Sequence, residues 1–161
     1  MPWLDVIAWT LQTIMVIGAI YGLYYVAVGL NAFGELALPD PQPGDKQHRY
    51  AILVCAKNES TVIDQLLVTI GNLNYPRELY DVFVVADNCT DDTAEICRKA
   101  GAYVYERTDA TRKGKGFAMA RFFERFSVDH AGQYDVCVVF DADNVVEVGF
   151  LEALNTRFNA G

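Results

Sequence analysis

Two hydrophobic patterns divide the chain. Residues 6–30, VIAWTLQTIMVIGAIYGLYYVAVGL, form a run without a charged residue, in which Gln12 is the most polar member. From Tyr50 onward, short apolar runs alternate with segments in which apolar residues recur at helical spacing. The first pattern is typical of a membrane-spanning helix, and the second is typical of a water-soluble α/β domain.

The uncharged run is long enough to cross a membrane. As a helix, residues 6–30 would be about 37 Å long, which exceeds the roughly 30 Å of hydrocarbon in a bilayer. A cleaved secretory signal peptide is the alternative. However, no Lys or Arg precedes the run and no clear small-residue cleavage site follows it. We therefore predict a retained transmembrane helix over 6–30.

The flanking charges predict an orientation in the cell membrane. The flank MPWLD offers only Asp5 and the amino terminus, whereas the other side carries Lys46, Arg49 and Lys57. The positive-inside rule therefore places everything after the helix in the cytoplasm. Residues 31–49 contain the proline-rich stretch ALPDPQPGDKQ, which predicts a linker.

Predicted strands and helices alternate in residues 50–161. The strands are YAILVCA, YDVFVVAD, AYVYER and YDVCVVFDAD; the helical segments are STVIDQLLVTIGNL, DDTAEICRKAG, KGFAMARFFERFS and VGFLEALNTRF. Ser60 is expected to cap the first of these helices, and Gly101 to end the second. One face of the third is expected to present Phe117, Ala120, Phe123 and Phe126. This order predicts an α/β fold with a parallel sheet whose strands are buried on both faces.

Composition narrows the possible functions. The net charge is −8, which argues against nucleic-acid binding because neutralising phosphates requires a surplus of Lys and Arg. The four cysteines include no C-x-x-C pair, and Cys55 and Cys137 lie in apolar runs, so we expect core thiols in a reducing compartment. No G-x-G-x-x-G follows a strand, which argues against a dinucleotide-binding dehydrogenase.

Polar residues follow every predicted strand. The first strand ends in KNE, the second in DN and the fourth in DADN, and the third leads into RTDATRKGKG. Ligands of open parallel sheets bind beyond the carboxyl ends of the strands, so this edge is the predicted binding site. Strand ends are also polar wherever a chain simply exits into water, but that explains one such end more easily than four.

The fourth strand end predicts a cation site. Residues i and i+2 of a strand point the same way, so Asp141 and Asp143 would project together if strand geometry persists to position 143. Mg²⁺ takes one or two carboxylates and completes its coordination with water and substrate phosphates. The alternative is that Asp143 or Asn144 caps a helix near Val148.

The basic loop TRKGKG and Asp87 each have a ligand-binding interpretation and a purely structural one. Arg112, Lys113 and Lys115 in TRKGKG are placed among glycines that would let a diphosphate approach, or they form a solvated basic turn. Asp87 ends a buried strand, where it would accept hydrogen bonds from a base or ribose, or it caps the helix that follows.

Four segments, in order, resemble the inverting family 2 glycosyltransferases, a group that includes membrane synthases of polysaccharides. They are ILVCAKNES, VVADNCTDDT, RKGKGFAM and VVFDADN, and the resemblance covers residues 50–161. It implies the Rossmann-like GT-A fold that binds nucleotide-diphospho-sugars, here partial and preceded by one transmembrane helix. The family usually has proline before the first-strand signature, where this chain has Val54-Cys55.

The resemblance also implies roles for residues. The donor, commonly a UDP-sugar, would be bound by Ala56, Asn58, Glu59, Asp87, Lys115 and Asp141. Asp143, with Asp141, would hold Mg²⁺ or Mn²⁺, and the acceptor would be a glycan or a lipid-linked molecule. The family's general base follows the D-x-D, so we expect it beyond Gly161 and expect this chain to be an N-terminal, donor-binding part that is inactive alone. A nucleotidyltransferase and a non-catalytic nucleotide-sugar binding module remain alternatives.

Overall fold

A computed structural model describes residues 2–35 and 46–160, in two compact units that divide the chain after Asp40. The first contains helix α1 (Pro2–Glu35). The second contains a four-stranded sheet: β1 (Tyr50–Ala56), β2 (Tyr80–Asp87), β3 (Tyr103–Arg107) and β4 (Val136–Asp141). Its helices are α2 (Ile63–Gly71), α3 (Thr93–Lys99), α4 (Lys115–Asp129) and α5 (Phe150–Ala160), and a short 3₁₀ turn covers Arg77–Leu79.

Helix α1 is long and apolar enough to cross a membrane, with a mean hydropathy of 1.9 in its most apolar 18-residue window. Its few polar side chains bond to its own backbone: Thr10 Oγ1 donates to the carbonyl of Val6 and Thr13 Oγ1 to that of Trp9. A helix in hydrocarbon must satisfy its polar groups in this internal way. The helix continues into the segment predicted as a linker, of which residues 36–45 lie outside the described residues.

The sheet is parallel, as predicted, and its strand order is β3-β2-β1-β4. Central strands β1 and β2 are buried on both faces, whereas β4 alternates between half-buried and exposed positions. The prediction of two buried faces is therefore wrong for the two outer strands, β3 and β4, neither of which has a fully buried residue. Cys137 lies on the open face of β4 and is exposed, contrary to the expected core position.

Helices cover both faces of the central strands. One face packs Ile52, Val54 and Val84 against α2, α3 and α5, and the other packs Leu53 and Phe83 against α4. Alternate residues of one buried strand therefore belong to two different cores. This three-layer arrangement fixes the direction of the strands, and with it the edge at which their carboxyl ends meet.

Of three local predictions, one is confirmed and two need correction. Ser60 does not cap α2, because the carbonyl of Glu59 accepts the N–H groups of Val62 and Ile63 and the helix begins only at Ile63. Gly101 does end the region of α3, with a φ of +83° that suits glycine. The predicted face of α4 is largely wrong: of its four residues only Phe126 packs in the core, while Phe117, Ala120 and Phe123 are exposed. Ala118 and Phe122 face the sheet instead.

The segment that leads into β1 is fixed to α5 by Asn155. The buried Asn155 side chain accepts the N–H of His48 at 2.9 Å and the hydroxyl of Tyr75 at 3.0 Å. Its amide donates to the carbonyl of Lys46 at 3.0 Å. Residues 46–49, predicted as the end of a linker, are therefore held against the domain.

Candidate nucleotide-sugar site

Three charged side chains lie at the carboxyl edge of the sheet near the end of β1: Asp87, Lys115 and Asp141. Cys55 lies in β1 and is registered with Asp141 of β4, while the following Ala56 is registered with Ala86 of β2. Burial raises the pKa of the Cys55 thiol, the positive charge of Lys115 opposes this rise, and the negative charges of Asp141 and Asp87 add to it. The topology thus brings together three residues that were predicted from separate strand ends.

Asp87 is a buried carboxylate, and only one of its two oxygens accepts hydrogen bonds from described residues. Its Oδ1 accepts hydrogen bonds from Arg107 Nη1 at 2.5 Å and from Asn88 Nδ2 at 2.9 Å. No described residue bonds to Oδ2, so this oxygen remains available to a ligand. Helix α3 begins at Thr93 and has Asp92 as its N-cap residue, so the alternative that Asp87 caps that helix is wrong.

Lys115 and Asp141 form an ion pair across the mouth of the site. The hydrogen bond with Asp141 raises the pKa of the Lys115 ammonium group, burial opposes the rise, and the charges of Asp141 and Asp143 add to it. Both carboxylates therefore act on the same cation. In this arrangement Lys115 neutralises part of a site that would otherwise concentrate negative charge.

The turn after β4 differs from the predicted geometry. The strand ends at Asp141, and the N–H of Asn144 bonds to the carbonyl of Asp141 at 3.1 Å, so residues 142–143 form a turn rather than an extended strand. Ala142 is buried while Asp143 is exposed. The helix-cap alternative is also wrong, because α5 begins at Phe150 and Asn144 Oδ1 instead accepts the N–H of Asp141.

The donor set fits a cation that a substrate completes. No group of three or more His, Cys, Asp or Glu side chains that could hold a metal ion occurs in the described part of the chain. Asp141 and Asp143 can supply two carboxylates, which is the usual protein share for Mg²⁺ bound with phosphates and water. The arrangement therefore does not match a structural metal centre closed by protein ligands.

The remaining predicted residues shape the loops around the site. Ala56 is buried, and its carbonyl accepts a weak hydrogen bond from Cys89 Sγ at 3.6 Å. Asn58 Oδ1 accepts the N–H of Thr90 at 2.7 Å, and the N–H of Glu59 donates to Thr93 Oγ1 at 2.9 Å. Direct contact of these three residues with a nucleoside remains a prediction.

Sequence reasoning missed Arg107, Asn88 and Asp109. Arg107 is the last residue of β3 and is registered with Asp87, and its side chain is 13% exposed. The position of Arg107 at the end of a third parallel strand was the available signal. The prediction for this loop considered only the basic residues and glycines of RKGKG. The pairing itself depends on which strand lies beside β2, which the residue pattern does not specify.

A groove also lies away from these strand ends. A cavity of about 560 Å³ opens between β3 and α4, and its lining includes Tyr105, Arg107, Phe122 and Arg125. Asp87, Lys115 and Asp141 are not part of that lining. We therefore place the candidate site at the strand ends, where the charged groups converge, and not in this groove.

Comparisons with known proteins show which proteins the chain resembles. Over 93 residues the chain is 34% identical to a beta-monoglucosyldiacylglycerol synthase of a Nostoc species, which covers 58% of this chain and 20% of that protein. Among solved structures, mannosyltransferase PcManGT from Pyrobaculum calidifontis, in complex with GDP-Man and Mn²⁺, matches with a TM-score of 0.64 at 24% identity. That match covers 83% of this chain and 38% of PcManGT.

A second solved structure has the same fold. The glucosyl-3-phosphoglycerate synthase of Mycobacterium tuberculosis in complex with UDP matches with a TM-score of 0.54 at 23% identity, covering 74% of this chain and 46% of that one. The chain spans about a quarter or less of the curated relatives that it matches. The profile of the family described as "Glycosyltransferase like family 2" matches residues 48–161, and the chain belongs to this family.

Proposed function

We propose that this chain carries the donor-binding part of a membrane-anchored glycosyltransferase that uses a nucleoside diphosphate sugar, with UDP as the nucleotide. The observation that supports this most directly is that Asp87 and Asp141 end the strands on either side of β1, with Lys115 paired to Asp141, in a chain that belongs to family 2. Along this edge, the Asp87 carboxylate suits the base and the Lys115 ammonium group suits the diphosphate. The exposed carboxylates of Asp141 and Asp143 suit a divalent metal. Strands β2 and β4 are two strand spacings apart, about 10 Å, which a nucleoside diphosphate can bridge.

Asp87 restricts the base. The open Oδ2 of Asp87 can only accept hydrogen bonds when the carboxylate is ionised, so it favours a base with a ring N–H. Uracil and guanine have such a group, whereas adenine and cytosine present a bare ring nitrogen at the corresponding position and could donate only through an exocyclic amino group. Solved relatives in complex with GDP-Man and with UDP are consistent with this restriction.

Lys115, Asp141 and Asp143 would receive the diphosphate end. Asp143, with Asp141, would hold Mg²⁺ or Mn²⁺, which as a Lewis acid stabilises the charge on a leaving diphosphate. Lys115 brings a cation to the same place, and a bound phosphate would compete with Asp141 for its ammonium group. Asn58 and Glu59 would then shape the wall beside the nucleoside through the bonds of their loop to Thr90 and Thr93.

Helix α1 supports a membrane location for the acceptor reaction. A helix with an uncharged stretch of this length would anchor the domain to a bilayer, with the donor site on the cytoplasmic side where nucleotide sugars are made. The similarity to a beta-monoglucosyldiacylglycerol synthase favours a lipid acceptor, and a growing glycan is the second candidate. The match to family 2 argues against the nucleotidyltransferase alternative.

Calorimetric titration of the chain in detergent micelles tests the donor proposal. With Mn²⁺ present, UDP and GDP should bind at least about tenfold more tightly than ADP, because ADP lacks the N–H that pairs with Asp87. Asp87→Ala should weaken UDP binding about ten- to a hundredfold, the value of a hydrogen bond to a charged group. Asp64→Ala, which removes an exposed carboxylate on α2, is the matched control. Absence of measurable UDP and GDP binding to the wild-type chain would overturn the proposal.

A further inference from the structure

Arg107 is surrounded by acceptors. Its Nη1 donates to Asp87 Oδ1 at 2.5 Å, and its Nη2 donates to Asp109 Oδ2 at 3.0 Å and to the carbonyl of Arg112 at 2.5 Å. Its side chain is 13% exposed and that of Asp87 is 7% exposed. Both Nη atoms of the guanidinium group thus donate to two carboxylates and a carbonyl. The guanidinium group is therefore poorly suited to binding a phosphate itself.

The far side of this guanidinium is held by a tight turn. Asp109 Oδ1 accepts the N–H groups of Thr111 and Arg112 at 2.8 and 2.9 Å. The N–H of Asp109 donates to Asn88 Oδ1 at 2.9 Å. The hydrogen bonds from Arg112 and Thr111 lower the pKa of the Asp109 carboxyl group, so Asp109 is an anion that holds Arg107 in place.

Asp87 is therefore fixed at one oxygen and open at the other. Arg107 and Asn88 both bond to Oδ1, and this pair of bonds sets the plane of the carboxylate. A carboxylate without such an anchor would rotate among several rotamers, and a ligand that needs one of them would bind more weakly. The bidentate shape of arginine suits this task better than the point charge of lysine.

We infer that Arg107 is a positioning residue for nucleobase recognition: it holds Asp87 so that Oδ2 faces the ring N–H of the donor's base. The inference rests on the proposed function, in which Asp87 receives the base. Arg107 itself touches no part of the donor. It acts through Asp87, and this distinguishes it from Lys115, which is placed to meet the diphosphate.

Titrations of UDP and of inorganic pyrophosphate, both with Mn²⁺, test this inference. Arg107→Ala should weaken UDP binding about tenfold and Arg107→Lys about fivefold, because lysine keeps the charge but loses the fork. Pyrophosphate lacks a base, so its affinity should change less than about twofold in either variant. Arg98→Ala removes another arginine that forms an ion pair, with Glu106 on the exposed surface, and should behave as wild type.

A double-mutant cycle decides whether Arg107 acts through Asp87. On the Asp87→Ala background, either Arg107 substitution should change UDP affinity by less than about twofold. The inference would be overturned if an Arg107 substitution weakened UDP binding as much on the Asp87→Ala background as in the otherwise wild-type chain. An equal weakening of pyrophosphate binding would also overturn it, as would wild-type UDP affinity in both single Arg107 variants. These outcomes leave the proposed function standing, because wild-type UDP binding is measured separately; its absence would overturn both. If Arg107→Ala fails to fold, Arg107→Lys carries the test alone.

Discussion

At the scale of single residues, two asparagines determine how the strand ends present their neighbours. Asn58 and Asn88 both have positive φ, 56° and 55°, and both follow an Ala-X pair at the ends of β1 and β2. Left-handed backbone costs a residue with a Cβ roughly 1–2 kcal/mol, and asparagine tolerates it better than most. Each side chain bonds to a backbone N–H of the next loop, Thr90 or Asp109, which offsets that cost. The sharp turns that result leave Asp87 at the edge instead of inside a continuing strand.

Asp143 is the residue at which the metal proposal can be tested without a turnover assay. We expect Mn²⁺ to tighten UDP binding to the wild-type chain, and expect Asp143→Asn to abolish most of that effect. Asparagine keeps the shape and one acceptor oxygen but removes the charge that holds the cation. Asp141→Asn should also weaken UDP binding, because the proposed metal site loses one of its two carboxylates.

The measurement is a UDP titration repeated over a series of Mn²⁺ concentrations. Asp92→Asn, which changes an exposed carboxylate at the start of α3, is the matched control. An unchanged dependence on Mn²⁺ in Asp143→Asn would remove this residue from the metal site.

At the scale of elements, the sequence pattern predicted whether a segment is a strand or a helix better than it predicted which face of the segment is buried. The strands and helices alternate as expected because runs of Val, Ile and Phe differ in period from amphipathic segments. The face of α4 was wrong because several phenylalanines satisfy helical spacing, and only contact with Leu53 and Phe83 selects Phe122 and Ala118. The candidate site was predictable as an edge because parallel strands align their ends. The Asp87–Arg107 pair was not, since it follows from strand order and register.

The loops after β1 and β2 are joined by Asp91, and this predicts a pH dependence of stability. Asp91 accepts the N–H of Ser60 at 3.1 Å and the hydroxyl of Thr93 at 2.6 Å. These bonds, with Thr93 the largest contributor, hold the pKa of the Asp91 carboxyl below its ordinary value of 3.8. Because the folded-state pKa is depressed, ionised Asp91 contributes stability above pH 3.8, and this contribution is lost as the pH falls through the folded-state pKa.

Urea unfolding followed by circular dichroism measures this contribution as the difference between wild type and Asp91→Asn. The difference in free energy of unfolding should be constant from about pH 7 to about pH 5 and should narrow by about pH 3. Asp64→Asn controls for loss of a surface carboxylate on α2. A difference as large at the acidic end as at neutral pH would show that the charge of Asp91 does not hold these loops.

At the scale of the whole molecule, the chain joins a membrane-length helix to a donor-binding sheet. Helix α1 has no charged residue between Asp5 and Asn31, and its apolar side chains are exposed around the helix, as expected of a segment whose surroundings are lipid. The sheet domain carries charged groups at its carboxyl edge that need water and a soluble donor. Under the proposed function, a tether of this kind would keep the nucleotide-sugar site at the bilayer, where a lipid acceptor would be confined.

This architecture predicts that the sheet domain lies in the cytoplasm of intact cells. Basic residues are retained on the cytoplasmic side, and Lys46, Arg49 and Lys57 all follow the helix while Asp5 precedes it. A thiol reagent that cannot cross membranes should therefore leave the exposed Cys137 unlabelled until the cells are permeabilised. In a variant with the four native cysteines replaced by serine, Leu4→Cys should be labelled in intact cells. Labelling of Cys137 from outside, with Leu4→Cys protected, would reverse the orientation and separate the candidate site from the compartment in which nucleotide sugars are made.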